Sequence, residues 1–163
     1  MTIEILEYVD ESGYSPYGRW FDKLGAKAAA KVTTTIDRIG REELEKLQAS
    51  QTQRKRVMAL TRHFKETVRA RAQRDPKFRL ALIEEAIESL IEGDLDGGQS
   101  ILSNYINATI GYPALAELTG KDAKSLIRML RPGSNPTSRN LLNILNHIKR
   151  QEGVEIKVRV TRV

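Results

Sequence analysis

The chain has 163 residues, 40% of them hydrophobic, a length that suits one domain or two small ones with a real core. It contains no cysteine, which excludes a disulfide framework and thiolate metal sites and suits a reducing compartment. No apolar run approaches the roughly 18 residues of a membrane span, and the acidic start is unlike a signal peptide. We therefore expect a soluble, cytoplasmic protein.

The net charge of +6 favours a polyanionic partner, and its distribution along the chain is uneven. Residues 54–79 contain ten basic and two acidic residues, whereas residues 80–96 contain six acidic residues and no basic one. Two interpretations stay open at this point. The two stretches are either solvated helix faces that attract one another, or a surface that recognises another protein.

The first 57 residues predict a small β-α-α fragment followed by a linker. Residues 2–9, "TIEILEYV", alternate as in a strand, and residues 10–18 are typical of a turn. Residues 19–40 predict a helix that Gly25 divides into two pieces. Residues 41–57 are highly polar and form the best boundary in the chain.

Residues 58–110 predict a run of helices with clear start and stop signals. Thr61 is expected to cap a helix whose buried stripe is Phe64, Val68 and Ala72. Asp75 followed by proline predicts the start of the next helix, which Gly93 ends, with an inward face of Phe78, Leu82, Ile83, Ala86, Ile87, Leu90 and Ile91.

A further helix is predicted from about Asp94 to Ile110, with core residues Ile101, Leu102, Tyr105 and Ile106. Its Gly97-Gly98 pair is expected to be a local weakness, costing up to ~1 kcal/mol per residue relative to alanine.

Residues 112–130 have the spacing of a helix-turn-helix. A steep crossing needs a small residue where the helices meet and a glycine at the turn, and Ala116 and Gly120 supply this pair. Leu126 and Met129 are then inward, while Asp122 caps the second helix. An ordinary helical hairpin remains the alternative, because Lys121 stands where the pattern usually has an apolar residue.

The last 33 residues predict one more helix and a strand. Asn135 and Thr137 lie at a helix N-terminus, a place suited to a phosphate, and the inward face that follows is Leu141, Leu142, Ile144, Leu145 and Ile148. Residues 154–163, "VEIKVRVTRV", alternate as a strand does. Such a strand needs a neighbour, either the same strand of a second chain, which we favour, or residues 2–9.

No residue pattern points to catalysis, a metal or a cofactor. His63 and His147 lie in separate predicted helical segments without metal-ligand spacing. The Gly97-Gly98 pair matches no phosphate-binding loop. We interpret the acidic cluster around Glu84, Glu85 and Glu88 as a solvated helix face.

Four stretches within residues 58–163 carry a family resemblance: "MALTRHFKETVRARAQRDPKF", "LIEEAIESLIEGD", "YINATIGYPALAELTGKDAKSLIRML" and "GSNPTSRNLLNIL". They resemble a HigA-like, Xre-family helix-turn-helix antitoxin, and Met58 stands where such an antitoxin begins. Residues 1–40 resemble something else, the amino-terminal strand and helices of a RelE/HigB-like toxin. The chain thus resembles a truncated toxin, a polar linker over residues 41–57, and an antitoxin-like domain over residues 58–163.

The resemblance implies a mainly α protein that binds operator DNA as a homodimer and represses its own toxin–antitoxin module. Lys124, Ser125 and Arg128 are then expected to contact base edges. Asn135, Thr137, Arg139 and Asn140 are expected to hold phosphates. Three further candidates for the DNA surface are Tyr112, Lys121 and Ala123.

A second function is also implied, the neutralisation of a RelE/HigB-like ribonuclease with little DNA binding. The charged block between residues 54 and 96 favours it, because this block lies outside the helix-turn-helix. Ribonuclease activity is not expected, since the toxin's acid/base residues come largely from later strands that have no counterpart before Met58.

Overall fold

The computed structural model describes residues 5–48 and 61–159, and in them the chain is mainly helical. Its elements in chain order are β1 (Leu6–Tyr8), α1 (Pro16–Lys23), α2 (Ala26–Gln48), β2 (Thr61–His63), α3 (Phe64–Arg74), α4 (Pro76–Glu92), α5 (Leu95–Ala108), α6 (Tyr112–Thr119), α7 (Ala123–Met129) and α8 (Ser138–Glu152). Among the described residues, no helix is both long and apolar enough to cross a bilayer.

The N-terminal elements follow local signals in the sequence. The Asp10 carboxylate accepts hydrogen bonds from the backbone N–H groups of Ser12 and Tyr14 and so holds the turn after β1. Ser15 then caps α1, its hydroxyl accepting from the Gly18 N–H at 2.8 Å. Helix α1 therefore begins inside the stretch that the sequence predicted as a turn.

The predicted division at Gly25 is confirmed, because α1 ends at Lys23 and α2 starts at Ala26. Helix α2 extends through Gln48 and so enters the stretch that the sequence predicted as a linker. The rest of that stretch, with Met58, lies outside the described residues.

Strands β1 and β2 form a two-stranded antiparallel sheet, in which Leu6 lies opposite His63 and Tyr8 opposite Thr61. The predicted capping role of Thr61 is therefore wrong, since Thr61 is a strand residue. His63 occupies the cap position of α3 without a side-chain hydrogen bond. The predicted buried stripe of α3, Phe64, Val68 and Ala72, is confirmed.

Helices α4 and α5 pack closely together, and α2 covers both. The Asp75 carboxylate accepts from the Phe78 N–H at 3.1 Å, and α4 ends at Gly93, whose φ of 90° is left-handed. The predicted start of this helix at Asp75 and its predicted end at Gly93 are thus confirmed. Ile91 was wrongly predicted to be inward, because its side chain is 68% exposed.

The glycine pair in α5 has a packing explanation. A Cβ atom built on Gly98 would stand 2.5 Å from Leu90 Cγ and 3.0 Å from the Ala86 carbonyl oxygen. The missing side chain therefore lets α5 approach α4 closely. The four core residues predicted for α5 are all fully buried: Ile101, Leu102, Tyr105 and Ile106.

Helix α6 packs against both α7 and α8, with Leu115 and Leu126 fully buried. The chain leaves α6 through Gly120, whose φ is 64°, and Asp122 caps α7 by accepting from the Ser125 N–H at 3.0 Å. Leu142 was predicted to be inward but is 60% exposed.

Helix α8 ends at Glu152, and Gly153 follows with a φ of 66°. Residues 154–159 form no strand in the single chain, in contrast to the prediction, because no neighbouring strand lies beside them among the described residues. The predicted alternative of pairing with the N-terminal strand is not seen either, since β1 pairs with β2. Residues 160–163 lie outside the described residues.

Candidate nucleic-acid interface

Helices α6 and α7 are joined by a three-residue turn in which two residues have a defined local role. Gly120 adopts a left-handed conformation that costs other residues energy, which lets the chain reverse directly after Thr119. The Asp122 carboxylate satisfies a first-turn amide of α7. Helix α7 thus begins directly after this turn and packs on α6 through Leu126.

Residues 121–150, which we call the basic segment, contain an excess of cations. Asp122 is the single acidic residue there, and its carboxylate is engaged in the α7 cap. None of the cations forms an ion pair within the part of the chain that the structure describes: Lys121, Lys124, Arg128, Arg131, Arg139, Lys149 and Arg150. The basic segment therefore presents uncompensated positive charge.

The predicted base-reading residues on α7 differ in accessibility. Lys124 and Arg128 are exposed and lie one helical turn apart, so their side chains share a face. Ser125 is partly buried, and Ala123 packs against the core. Ile127, which the sequence reading did not select, is 45% exposed beside Arg128.

The predicted phosphate contacts gather at the start of α8. Thr137 caps this helix, its hydroxyl accepting from the Asn140 N–H at 3.4 Å. Asn135 and Arg139 are exposed on either side of this cap, while Asn140 is partly buried. A helix N-terminus with an adjacent arginine can bind a phosphate oxygen.

Tyr112 has a different environment from the other candidates. Its side chain is only 7% exposed, and its hydroxyl lies 2.7 Å from the Ser103 hydroxyl on α5. Burial raises the pKa of the Tyr112 phenol. Tyr112 therefore belongs to the contact that holds α6 on α5, and it does not reach the surface of the basic segment.

Two cations of α3 and α4 have partners on other helices, unlike those of the basic segment. Arg74 pairs with Asp22 of α1, and Arg79 pairs with Glu152 of α8 at 2.9 Å. On the acidic side, Glu84 accepts from Lys27 of α2 at 2.7 Å. The idea that the basic and acidic stretches attract mainly one another is thus wrong for these residues, which tie other helices to α3 and α4.

A cleft and two histidines are further candidates for a site. An open cleft of about 330 Å³ lies between α1 and α3, but its Arg74 and Asp22 neutralise each other. His63 is exposed and His147 partly buried. Within residues 5–48 and 61–159, no group of three His, Cys, Asp or Glu side chains could hold a metal ion.

Comparison of the chain with protein-family models, with curated proteins and with solved structures gives no match.

Proposed function

We propose that this protein is a DNA-binding, antitoxin-like repressor that acts in the cytoplasm as a dimer, on the operator of its own toxin–antitoxin module. The observation that carries the proposal is the basic segment, whose unpaired cations lie in the Gly120 turn, on the short helix that follows it and on the residues beyond. Exposed cations without protein partners suit a phosphate backbone, where they replace condensed counterions.

Within this proposal, α7 is the helix that enters the major groove. Lys124 and Arg128 share an exposed face, and arginine can hold guanine through two hydrogen bonds. Ile127 offers an apolar contact for a thymine methyl group. The start of α8, with Thr137 and Arg139, binds the phosphate backbone and sets the register.

A gel shift on the DNA upstream of the gene tests the proposal. We expect the double variant Lys124→Ala/Arg128→Ala to lose at least about tenfold in affinity, since a good base contact is worth about 1–3 kcal/mol. The matched control is Lys23→Ala/Lys77→Ala, which removes two exposed cations outside the basic segment. We expect this control to bind nearly as well as the parent.

Salt dependence separates a DNA interface from adventitious adsorption. A protein that neutralises several phosphates loses affinity steeply as salt rises, and each lost contact lowers the slope by about one. The parent should therefore show a steeper salt slope than Lys124→Ala/Arg128→Ala. Equal affinity losses in the two double variants, or binding that is insensitive to salt, would argue against α7 as the reading helix.

Dimerisation through the C-terminal segment is the second part of the proposal. Residues 154–159 belong to no helix or strand in the single chain, and a strand formed there would need a second copy to bond its backbone groups. Removal of residues 154–163 retains Glu152, whose carboxylate bonds Arg79 and Tyr105. We expect this truncated chain to be monomeric by light scattering and to bind operator DNA weakly; a dimer with unchanged binding would refute the assignment.

An alternative function is the neutralisation of a RelE/HigB-like ribonuclease with little DNA binding. It is favoured by the exposed face of α4, which carries Glu88, Ile91 and Glu92. The two carboxylates form no ion pair with other described residues. A stable complex with the toxin of the same module, unchanged by Lys124→Ala/Arg128→Ala, would support it. We do not propose catalysis by this chain, and RNA cleavage by the purified protein would contradict that view.

A further inference from the structure

Residues 5–48 contact the rest of the chain through an aromatic anchor. Phe21 of α1 is fully buried, and its ring centroid lies 5.7 Å from that of Phe78 and 6.5 Å from that of Phe64, both edge to face. Edge-to-face pairs of this kind add to the energy of area burial. Phe21 therefore fills a pocket that α3 and α4 provide.

Arg71 of α3 holds the end of α1 from the other side. Its guanidinium donates to the carbonyl oxygens of Phe21 and Leu24 and lies 5.2 Å and 4.9 Å from the ring centroids of Phe21 and Phe78. Its charge is balanced by Asp75 at 3.3 Å. Buried aromatic and arginine anchors near the centre of a contact are typical of protein–protein interfaces.

The strand pairing adds main-chain hydrogen bonds to this contact. Strand β1 lies antiparallel to β2, and the Phe64 N–H donates to the Ile5 carbonyl oxygen at 3.1 Å. The addition of a strand is one of the recurrent ways in which one protein segment binds another.

Charged pairs surround the aromatic centre, as in the polar rim of an interface. Lys27 of α2 pairs with Glu84 at 2.7 Å, and Arg41 lies 3.8 Å from Asp94. Asp22 of α1 pairs with Arg74. The contact thus has a buried centre, a shared sheet and an exposed rim of ion pairs.

We propose that β2, α3, α4 and α5 form a docking surface for a β-α-α element, and that residues 5–48 occupy it as an intramolecular ligand. The same segment of a second copy of this chain can replace it. Residues 49–60 join the two sides in sequence, so this covalent connection raises the local concentration of the ligand. The inference does not rest on DNA binding, which can fail while this proposal succeeds.

The test uses the whole folded chain with a protease site inserted within residues 49–60. A ¹⁵N-labelled and an unlabelled preparation are each cut after folding, mixed, and followed by native mass spectrometry. We expect the halves to stay associated and to exchange partners, so that mixed-label complexes appear. Uncut chains mixed in the same way are the control and should show none.

The Asp22–Arg74 pair offers variants that leave the core intact, since both side chains are about half exposed. Arg74→Glu should weaken the cut complex about twofold to fivefold, as the loss of an exposed pair implies. The reversed pair Asp22→Arg/Arg74→Glu should restore it. Halves that separate on cutting, halves that never exchange, or a reversed pair no better than Arg74→Glu alone would overturn the proposal.

Discussion

Arg71 joins the N-terminal helix α1 to helices α3 and α4 through a single buried side chain. An arginine in a basic stretch is normally solvated, yet this one is only 4% exposed and serves two carbonyl oxygens, one carboxylate and two aromatic rings. Its burial is tolerated because each part of the guanidinium has a partner. The interactions are lost together if the side chain is shortened.

We therefore expect Arg71→Gln to destabilise the protein by about 3 kcal/mol, since it leaves the Phe21 and Leu24 carbonyl groups without their donors and removes the cation beside Asp75. Arg69→Gln is the matched control, because Arg69 is exposed on the same helix and should change stability by less than about 0.5 kcal/mol. Urea denaturation measures both. A similar small effect for the two variants would mean that Arg71 does not anchor α1.

Asp37 makes stability depend on pH. Burial raises the pKa of its carboxyl above the ordinary value of 3.8, although Lys65 and Arg41 oppose this effect, and the carboxylate accepts from Ser100 and Asn104. The folded state therefore holds the proton more tightly than the unfolded state, so the contribution of Asp37 to stability rises as pH falls through its folded pKa.

Replacing Asp37 by asparagine removes the buried charge and keeps an acceptor for both donors. We expect Asp37→Asn to be at least as stable as the parent at pH 7, with an advantage that shrinks as the pH falls towards 3.8. Glu11→Gln, at an exposed position, is the control. Urea midpoints at pH 7 and pH 4 are the measurement, and an advantage that grows on acidification would contradict this account.

At the scale of elements, Gly98 separates helix propensity from helix packing. Propensity alone predicts that Gly98→Ala stabilises α5 by about 1 kcal/mol. The close contact with Leu90 and the Ala86 carbonyl predicts the opposite, a loss of about 1–3 kcal/mol from overpacking. Gly25→Ala is the control, because its added Cβ would meet nothing within 4 Å. A rise in melting temperature for Gly98→Ala would show that α4 yields to the added methyl group.

The element boundaries that the sequence could predict are those set by local chemistry. Asp75, Gly93 and Gly120 act through their own backbone and the next few residues, so a single sequence contains the whole signal. The β1–β2 pairing joins residues about 55 positions apart, and no local pattern marks it. The contacts of Arg71 with α1 are also distant in sequence, so the pattern of charges predicted a surface cation there.

The sequence could predict one part of the candidate site, and the other part depends on the fold. The charges of the basic segment can be read from the sequence, but their availability depends on which cations find acidic partners in the fold. Arg74 and Arg79 find partners and Lys124 and Arg128 do not, a difference that composition cannot show. Tyr112 was predicted to belong to the DNA surface, yet its side chain packs on α5.

At the scale of the whole molecule, one hydrophobic cluster runs from α1 to α8 among the described residues. It includes Phe21 and Ala29 from the N-terminal part and Ile144 and Ile148 from the last helix. A docked segment can share a core in this way and still unfold before the other helices. The order of unfolding depends on how strongly the contact made by Phe21 and Arg71 is coupled to the remaining helices.

The chain contains a single tryptophan, Trp20, which lies on α1 and is 49% exposed. Its fluorescence therefore reports on the N-terminal part, whereas far-ultraviolet circular dichroism is dominated by the other helices. Because Phe21 and Arg71 join the two parts through buried contacts, we expect both signals to change at the same urea concentration in the parent chain, as in two-state unfolding. In Arg71→Gln the Trp20 transition should move to lower urea and precede the loss of helix. A Trp20 transition that already comes first in the parent would show that residues 5–48 are held by much less than these contacts imply.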